Sequence, residues 1–374
     1  MVVFWFRRDL RLHDNHGFFE ALTSGEEVLP IFIFDKDIIG DLPKDDHRIT
    51  FIHSLLDEMN SELKKRGSSL ATFHDTPEKV FEKLLSENQI KAVFTNHDYE
   101  PYARQRDKAI GEILHTKDID FKTFKDQVIF EKGEVAKDDG KPYTVYTPYS
   151  NKWMAAFKNQ ESKTYCSEKE LHKIAKHHYP FLSLKDIGFI KSNLEPIDYN
   201  AAPELIKGYE DKRNFPAVKG TSHLSPYLRF GAVSIREMVA KANAESNKTF
   251  LKELIWREFF MQILWHFPET VNKSFRPKYD NIKWRNNENE FKQWCEGKTG
   301  FPMVDAGMRE LNETGYMHNR VRLVVSSFLC KHLLIDWRWG EAYFAEKLFD
   351  YEQSSNVGNW QWAAGSGTDA APYF

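Results

Sequence analysis

Four short apolar runs, rich in β-branched and aromatic residues, punctuate the N-terminal part of the chain: VVFWF at 2–6, VLPIFIF at 28–34, LATFH at 70–74 and AVFTN at 92–96. Polar or turn-forming residues bound each run, which is the pattern of short buried strands. Between the second and third runs, Ile49, Ile52, Leu55, Leu56, Met59 and Leu63 recur at three- and four-residue steps and stop before Gly67, predicting an amphipathic helix with a glycine past its end. Helical spacing returns at Val80, Phe81, Leu84 and Leu85. Strands alternating with helices imply βαβ units and a mostly parallel sheet, so residues 1–125 read as a doubly wound α/β domain. From 126 to 200 the pattern is irregular and lysine-rich, with KDDGKPYTVYTPYS at 137–150 holding turn formers and tyrosines, and it reads as a long surface connector. Beyond it strand patterns vanish. Helical periodicity runs through 234–244, 249–267, 317–335 and 339–349, predicting an all-helical domain over 201–374.

A length of 374 residues fits roughly two to three domains. Hydrophobic residues at 41% and charged residues at 29% exclude a disordered, collagen-like or fibrous chain. No apolar stretch approaches the length that crosses a bilayer, so a soluble protein without a membrane partner is expected. The three cysteines, Cys166, Cys295 and Cys330, are too few and too scattered for a disulfide framework or a zinc site, which predicts a cytoplasmic protein with no metal. A formal charge of −3 excludes a uniform basic coat and permits a local basic face. Eight of the ten tryptophans lie between 256 and 362, so the two ends of the chain do different jobs. Where a dinucleotide fingerprint would need closely spaced glycines after the first strand, the sequence reads FRRDLRLHDN, which argues against a dinucleotide dehydrogenase.

Three segments hold candidate chemistry. In 249–267, Glu253, Trp256, Arg257 and Phe260 stand at i, i+3, i+4 and i+7 on one helical face. Such a group reads first as a salt bridge between Glu253 and Arg257 beside a packing aromatic, and it also suits a pocket that stacks and hydrogen-bonds a flat heterocycle. In MHNRVRL at 317–323, Arg322 should face a carboxylate or phosphate, because a buried guanidinium needs an anion. The final segment combines Asp350, Glu352, Asn356, Trp360 and Trp362 with small residues from Ala363 to Gly367, a density of polar and aromatic groups suited to a cofactor wall.

Together, FWFRRDLRLHDN at the start, GTSHLSPYLRFG at 220–231, ELIWREFF at 253–260, EGKTGFPMVDAGMRELNETGYMHNRVR at 296–322 and NWQWAAGSGTDAAPYF at 359–374 resemble the photolyase/cryptochrome family over nearly the whole chain, most of all bacterial class I cyclobutane pyrimidine dimer photolyases. The resemblance implies a monomeric, FAD-dependent enzyme that uses blue light to split pyrimidine dimers in DNA. It places Tyr209, Thr221, Ser222, His223, Leu224 and Ser225 at the FAD phosphates and ribose. Arg322 and Asp350 match the pair beside the flavin ring, and Glu352 stands where relatives often carry Asp. Asn356 matches the residue facing the flavin N5, where an amide favours repair and plant or animal cryptochromes carry aspartate or cysteine. Glu253, Trp256, Arg257, Asn319 and Trp362 match the dimer pocket, with Leu323 where many relatives have Met. Histidines expected at 319 and 323 of a (6-4) photolyase are absent, and that reading is disfavoured.

Trp284, Trp337 and Trp360 match the family's electron-relay tryptophans, for which plain core packing is the alternative. Arg213, Arg257, Arg320, Lys278, Lys283 and Arg285 are candidate phosphate contacts. A second antenna chromophore, whether folate, deazaflavin or flavin, is common in the family, and Asn96, His97, Asp98, Tyr99, Glu100 and Pro101 follow the fourth strand where ligands gather. Relatives continue past APYF with further helices while this sequence ends at Phe374, so exposed apolar surface and weaker FAD retention are expected. The competing function is a signalling cryptochrome without repair activity.

Overall fold

The structure is a computed structural model describing residues 1–159 and 163–368; the last residues of the C-terminal motif, 369–374, lie outside them. The chain forms two compact units. The first comprises Met1–Ile129, Ser162–Glu195 and Tyr227–Met238, and the second Phe130–Glu161, Pro196–Pro226 and Val239–Phe374.

In the first unit, strands β1 (Val2–Phe6), β2 (Val28–Asp35), β3 (Ala71–Asp75), β4 (Ala92–Asn96) and β5 (Asp120–Phe124) alternate with helices α1 (His16–Leu22), α2 (His47–Lys64), α3 (Pro77–Glu87) and α4 (Pro101–His115). The sheet is parallel throughout, in the order β3-β2-β1-β4-β5, so the winding reverses between β1 and β4. Every residue of β1, β2 and β4 is buried, which is why these strands read as unbroken apolar runs. Edge strand β5 (DFKTF) is largely exposed and charged, and it escaped the sequence reading for that reason. Side chains such as Trp5, Ile31, Phe81, Leu84 and Ile110 build one core cluster of this unit. The segment Tyr227–Met238 joins it through Gly231, whose φ of +67° no β-branched residue would take and whose missing side chain leaves room for the Arg8 carbonyl.

The second unit is helical. Its principal helices are α5 (Tyr146–Lys158), α6 (Thr249–His266), α7 (Pro302–Thr314), α8 (Asn319–Ser327), α9 (Trp337–Lys347) and α10 (Gln353–Ala364). Helix α6 is apolar almost all round and buries Leu251, Ile255, Phe259 and Ile263, as a central helix must. Helix α10 lies against it where Gly358 leaves space for the Phe260 ring. The stretch 126–200 is divided between the units and is not merely a surface connector. Its helix α5 buries Tyr149 and Trp153 to 1% exposure, and Tyr179 from the stretch joins a core cluster of the first unit. Tyr146, Tyr149, Ser150 and Trp153 follow helical spacing, but tyrosine and serine disguise an apolar face and Pro148 reads as a breaker. It falls in the first turn, where no backbone donor is required.

Candidate active site

The loop before residue 225 and the start of α8 bring the first group of predicted residues together. Arg322 grips Asp350 through two parallel bonds, Nη1 to Oδ1 at 3.1 Å and Nη2 to Oδ2 at 2.9 Å, while its Nε donates to the Met317 carbonyl at 2.8 Å. Burial works against the guanidinium charge, and the Asp350 carboxylate outweighs it, raising the Arg322 pKa above its ordinary value. Ser225 donates to Asp350 Oδ2 at 2.6 Å. Thr221 reaches the Tyr316 hydroxyl at 3.5 Å, Ser222 accepts from the Asn200 backbone N–H at 2.8 Å, and Leu224 is buried. His223 holds a left-handed φ of +51° and tilts its ring against Tyr316 at 4.7 Å.

Two buried nitrogens in this region, His223 Nδ1 and His318 Nε2, have no hydrogen-bond partner among the described residues. Burial depresses the pKa of both imidazoles, which are therefore neutral near pH 7. A buried polar atom left open costs about 1–3 kcal/mol, a cost that a bound acceptor would remove here. Tyr209 stands nearby in sequence, edge-on to Phe250 at 5.2 Å with the Arg213 guanidinium over its ring.

On α6, Glu253, Trp256 and Arg257 are half-buried, whereas Phe260, expected to share their face toward a ligand, is 6% exposed and packs into α10. The carboxylate of Glu253 is ion-paired to Arg213. The Trp256 indole stacks face to face on Tyr146, with centroids 3.6 Å apart and planes 6° from parallel. Asn319 is the exposed first residue of α8, capped by His318, whose Nδ1 accepts from the Arg320 N–H at 3.1 Å. Arg320 donates to Asn214 Oδ1 at 2.8 Å, and Leu323 and Trp362 are half-buried.

Asn356 donates through Nδ2 to Glu341, to its carbonyl at 3.1 Å and its Oε1 at 2.9 Å, which commits the amide hydrogens and leaves the carbonyl oxygen to point elsewhere. Burial pushes the Glu341 pKa up, so this carboxyl is a poor charge and a serviceable clamp. Glu352 caps α10, its Oε2 accepting from Ser355 N at 2.9 Å and Ser354 Oγ at 2.5 Å. Trp337 and Trp360, at 1% and 2% exposure, belong to one core cluster against which the less buried Trp284 packs. Among the candidate phosphate contacts, Lys278 and Lys283 are exposed, while Arg285 is already paired with Glu290.

Asn96, the last residue of β4, and Asp98 just beyond it are committed to the fold. The Asn96 amide donates to Asp9 Oδ2 at 2.6 Å and Asn15 Oδ1 at 2.7 Å, and Asp98 pairs with Arg8 at 3.2 Å. His97 meets the Thr123 hydroxyl at 2.8 Å, and Glu100 pairs with Arg8 at 2.9 Å. Residues that the sequence reading passed over are Glu341, His318, Tyr146 and Glu258. No spacing marks them; only the fold shows what they touch. Among the described residues, no cluster of histidine, cysteine or acidic side chains gathers as a metal site, and no helix is long and apolar enough to cross a membrane.

Comparison with known proteins places these features in context. Residues 2–168 match the family described as DNA photolyase, and residues 250–374 match the FAD binding domain of DNA photolyase. The chain is 37% identical to the deoxyribodipyrimidine photo-lyase of Agrobacterium fabrum, over 100% of this chain and 82% of that protein. Among solved structures it resembles the archaeal photolyase of Sulfolobus tokodaii with two FAD molecules, at a TM-score of 0.85 and 34% identity, covering 100% of this chain and 85% of that one. It is equally similar in shape to the cryptochrome of Synechocystis, with a TM-score of 0.85 at 25% identity over 100% of this chain and 83% of that one.

Proposed function

Because the chain belongs to the DNA photolyase family, we propose that it is a light-driven deoxyribodipyrimidine photo-lyase, for which bound FAD in its reduced form supplies the electron that opens a cyclobutane pyrimidine dimer. The donor set fits that cofactor. The two unpartnered imidazole nitrogens, with Thr221 and Ser222 beside them, offer donors for phosphate oxygens, while Ser225 is held by Asp350 and Tyr209 with buried Leu224 would flank the same group. Arg322, locked onto Asp350, and Asn356, clamped by Glu341, would hold the ring edge in one orientation. Glu352 serves by fixing the start of α10, which carries Asn356.

The chain's own work on the lesion follows from its side chains. Trp256 and Trp362 give flat apolar surface to a dimer flipped out of the duplex, whose weakened stacking makes the flip less costly. Glu253 and Asn319 face carbonyl oxygens of the dimer, where a carboxyl and an amide stabilise negative charge as it develops. Arg213, Arg257 and Arg320 hold the flanking phosphates, with Lys278 and Lys283 adding salt-sensitive attraction. Trp284, Trp337 and Trp360 share one cluster graded from half-buried to buried, the order an inward electron relay needs. The protein acts as a monomer in the cytoplasm, and the first unit accommodates a second chromophore.

The single observation that carries this reading is the Arg322–Asp350 pair beside two open imidazole nitrogens, in a chain whose relatives bear the photo-lyase name. Glu253→Gln in flavin-loaded protein tests the pocket. Removing a charge-assisted contact should lower repair per absorbed photon by about tenfold, with flavin content unchanged. Wild-type repair efficiency in that variant would remove Glu253 from the mechanism. The shape match to a cryptochrome favours the signalling alternative, and protein that holds FAD yet repairs no dimer would establish it.

A further inference from the structure

The tyrosine-rich segment at 137–150 has no part in the function as described so far, yet it supplies the ring that covers Trp256. Tyr146 lies parallel to the indole at 3.6 Å, Phe259 meets it edge-on at 5.6 Å, and Phe260 flanks it at 5.5 Å with planes 28° apart. The Tyr146 hydroxyl donates to the Lys252 carbonyl at 2.8 Å, on the helical turn that carries Trp256. The phenol is thus tied to the side chain it covers and to the backbone beneath it.

Helix α5, which begins with Tyr146, is itself pinned. Glu258, 3% exposed, accepts from Trp153 Nε1 at 2.6 Å, from the Phe130 N–H at 3.0 Å and from the Tyr149 hydroxyl at 3.4 Å. Burial, then the neighbouring Glu258, raises the Tyr149 pKa well above its ordinary value, so it stays a neutral donor. Three donors satisfy a carboxylate this deeply buried, and two of them come from α5. They remove the freedom of α5 to slide along α6, and sliding would take Tyr146 off the indole.

We propose that Tyr146 is a positioning residue for lesion recognition: by covering one surface of Trp256 it fixes the plane of the indole, and the remaining exposed surface becomes a preordered platform for the flipped dimer. The inference rests on Trp256 being a lesion contact. An indole ordered beforehand loses less entropy when a base stacks on it, so the benefit falls on lesion binding and not on attraction to the DNA backbone.

The test measures dissociation constants for a duplex bearing one cyclobutane thymine dimer and for the same duplex undamaged, using flavin-loaded protein. Tyr146→Leu should weaken dimer binding about tenfold, or about 1.4 kcal/mol, with undamaged DNA binding and flavin content unchanged. Tyr146→Phe, which keeps the ring, should restore dimer affinity to within about twofold of wild type. Should Tyr146→Leu fail to fold, Tyr146→Met, similar in bulk without a ring plane, is measured in its place. Undiminished dimer preference in the ringless variant, or equal weakening on both DNAs, overturns the proposal. Wild-type protein without a preference for the dimer would instead overturn the underlying reading of Trp256.

Discussion

Asp126 in the sheet unit and Asp350 in the helical unit are both carboxylates gripped by arginine, yet their surroundings differ. Asp126, 1% exposed, lies between Arg11 at 2.8 Å and Arg236 at 2.8 Å and also accepts from the His16 N–H at 3.2 Å. Asp350 holds Arg322, whose side chain keeps 24% exposure, and shares an oxygen with exposed Ser225, close in the chain to the unpartnered His223. The same pair of groups is a sealed brace in one place and a partly open fixture in the other. What separates the two is access, since Asp126 is closed off at 1% exposure while the Arg322 side chain keeps 24%, a distinction that residue identity alone does not carry.

Removal of the Asp126 carboxylate should have the greatest effect. Asp126→Ala leaves Arg11 without its carboxylate and Arg236 with Asp14 alone, and should cost about 3–5 kcal/mol of stability, read from a urea unfolding midpoint. The open pair should respond differently. Arg322→Leu is expected to cost only about 1–2 kcal/mol of apoprotein stability while weakening FAD retention at least tenfold, seen as the flavin-to-protein absorbance ratio after gel filtration. Equal stability losses in the two variants would erase the distinction.

Acid should also act on the sheet unit through Asp126. Burial alone would raise the Asp126 pKa, but Arg11 and then Arg236 hold it at about 2, below the ordinary 3.8. A carboxylate depressed on folding gives stability that is complete above its unfolded pKa and lost as pH falls through the folded one. About 2 kcal/mol should therefore disappear between roughly pH 4 and pH 2. Asp126→Asn should flatten that part of the stability curve, and an unchanged curve would assign the acid sensitivity to other groups. The smallest effect on stability is expected from Trp337→Phe, about 1 kcal/mol for a volume loss in the core, together with slowed photoreduction and intact repair by protein already reduced. Photoreduction at the wild-type rate would return Trp337 to plain packing.

Much of the fold was legible because buried parallel strands and helices of strong period announce themselves: β1 to β4 and α2 lie where VVFWF, VLPIFIF, LATFH, AVFTN and the Ile49-to-Leu63 pattern put them. Strand β5 did not, since an exposed edge carries charge, and α5 did not, since its buried face is built of tyrosine, serine and tryptophan. In the site, Arg322 was expected to face an anion, and the partner is Asp350, distant in sequence. Glu341, His318, Tyr146 and Glu258 were invisible because their roles are contacts across separate elements, and no local spacing encodes them.

The central claim is tested most directly by anaerobically reduced, flavin-loaded protein given oligonucleotides that carry either one cyclobutane thymine dimer or one (6-4) photoproduct, under blue light and in the dark. The account predicts loss of the cyclobutane dimer alone, and only under illumination. A reduced, flavin-bound protein that leaves the cyclobutane dimer intact in the light, or one that repairs the (6-4) lesion instead, would contradict it.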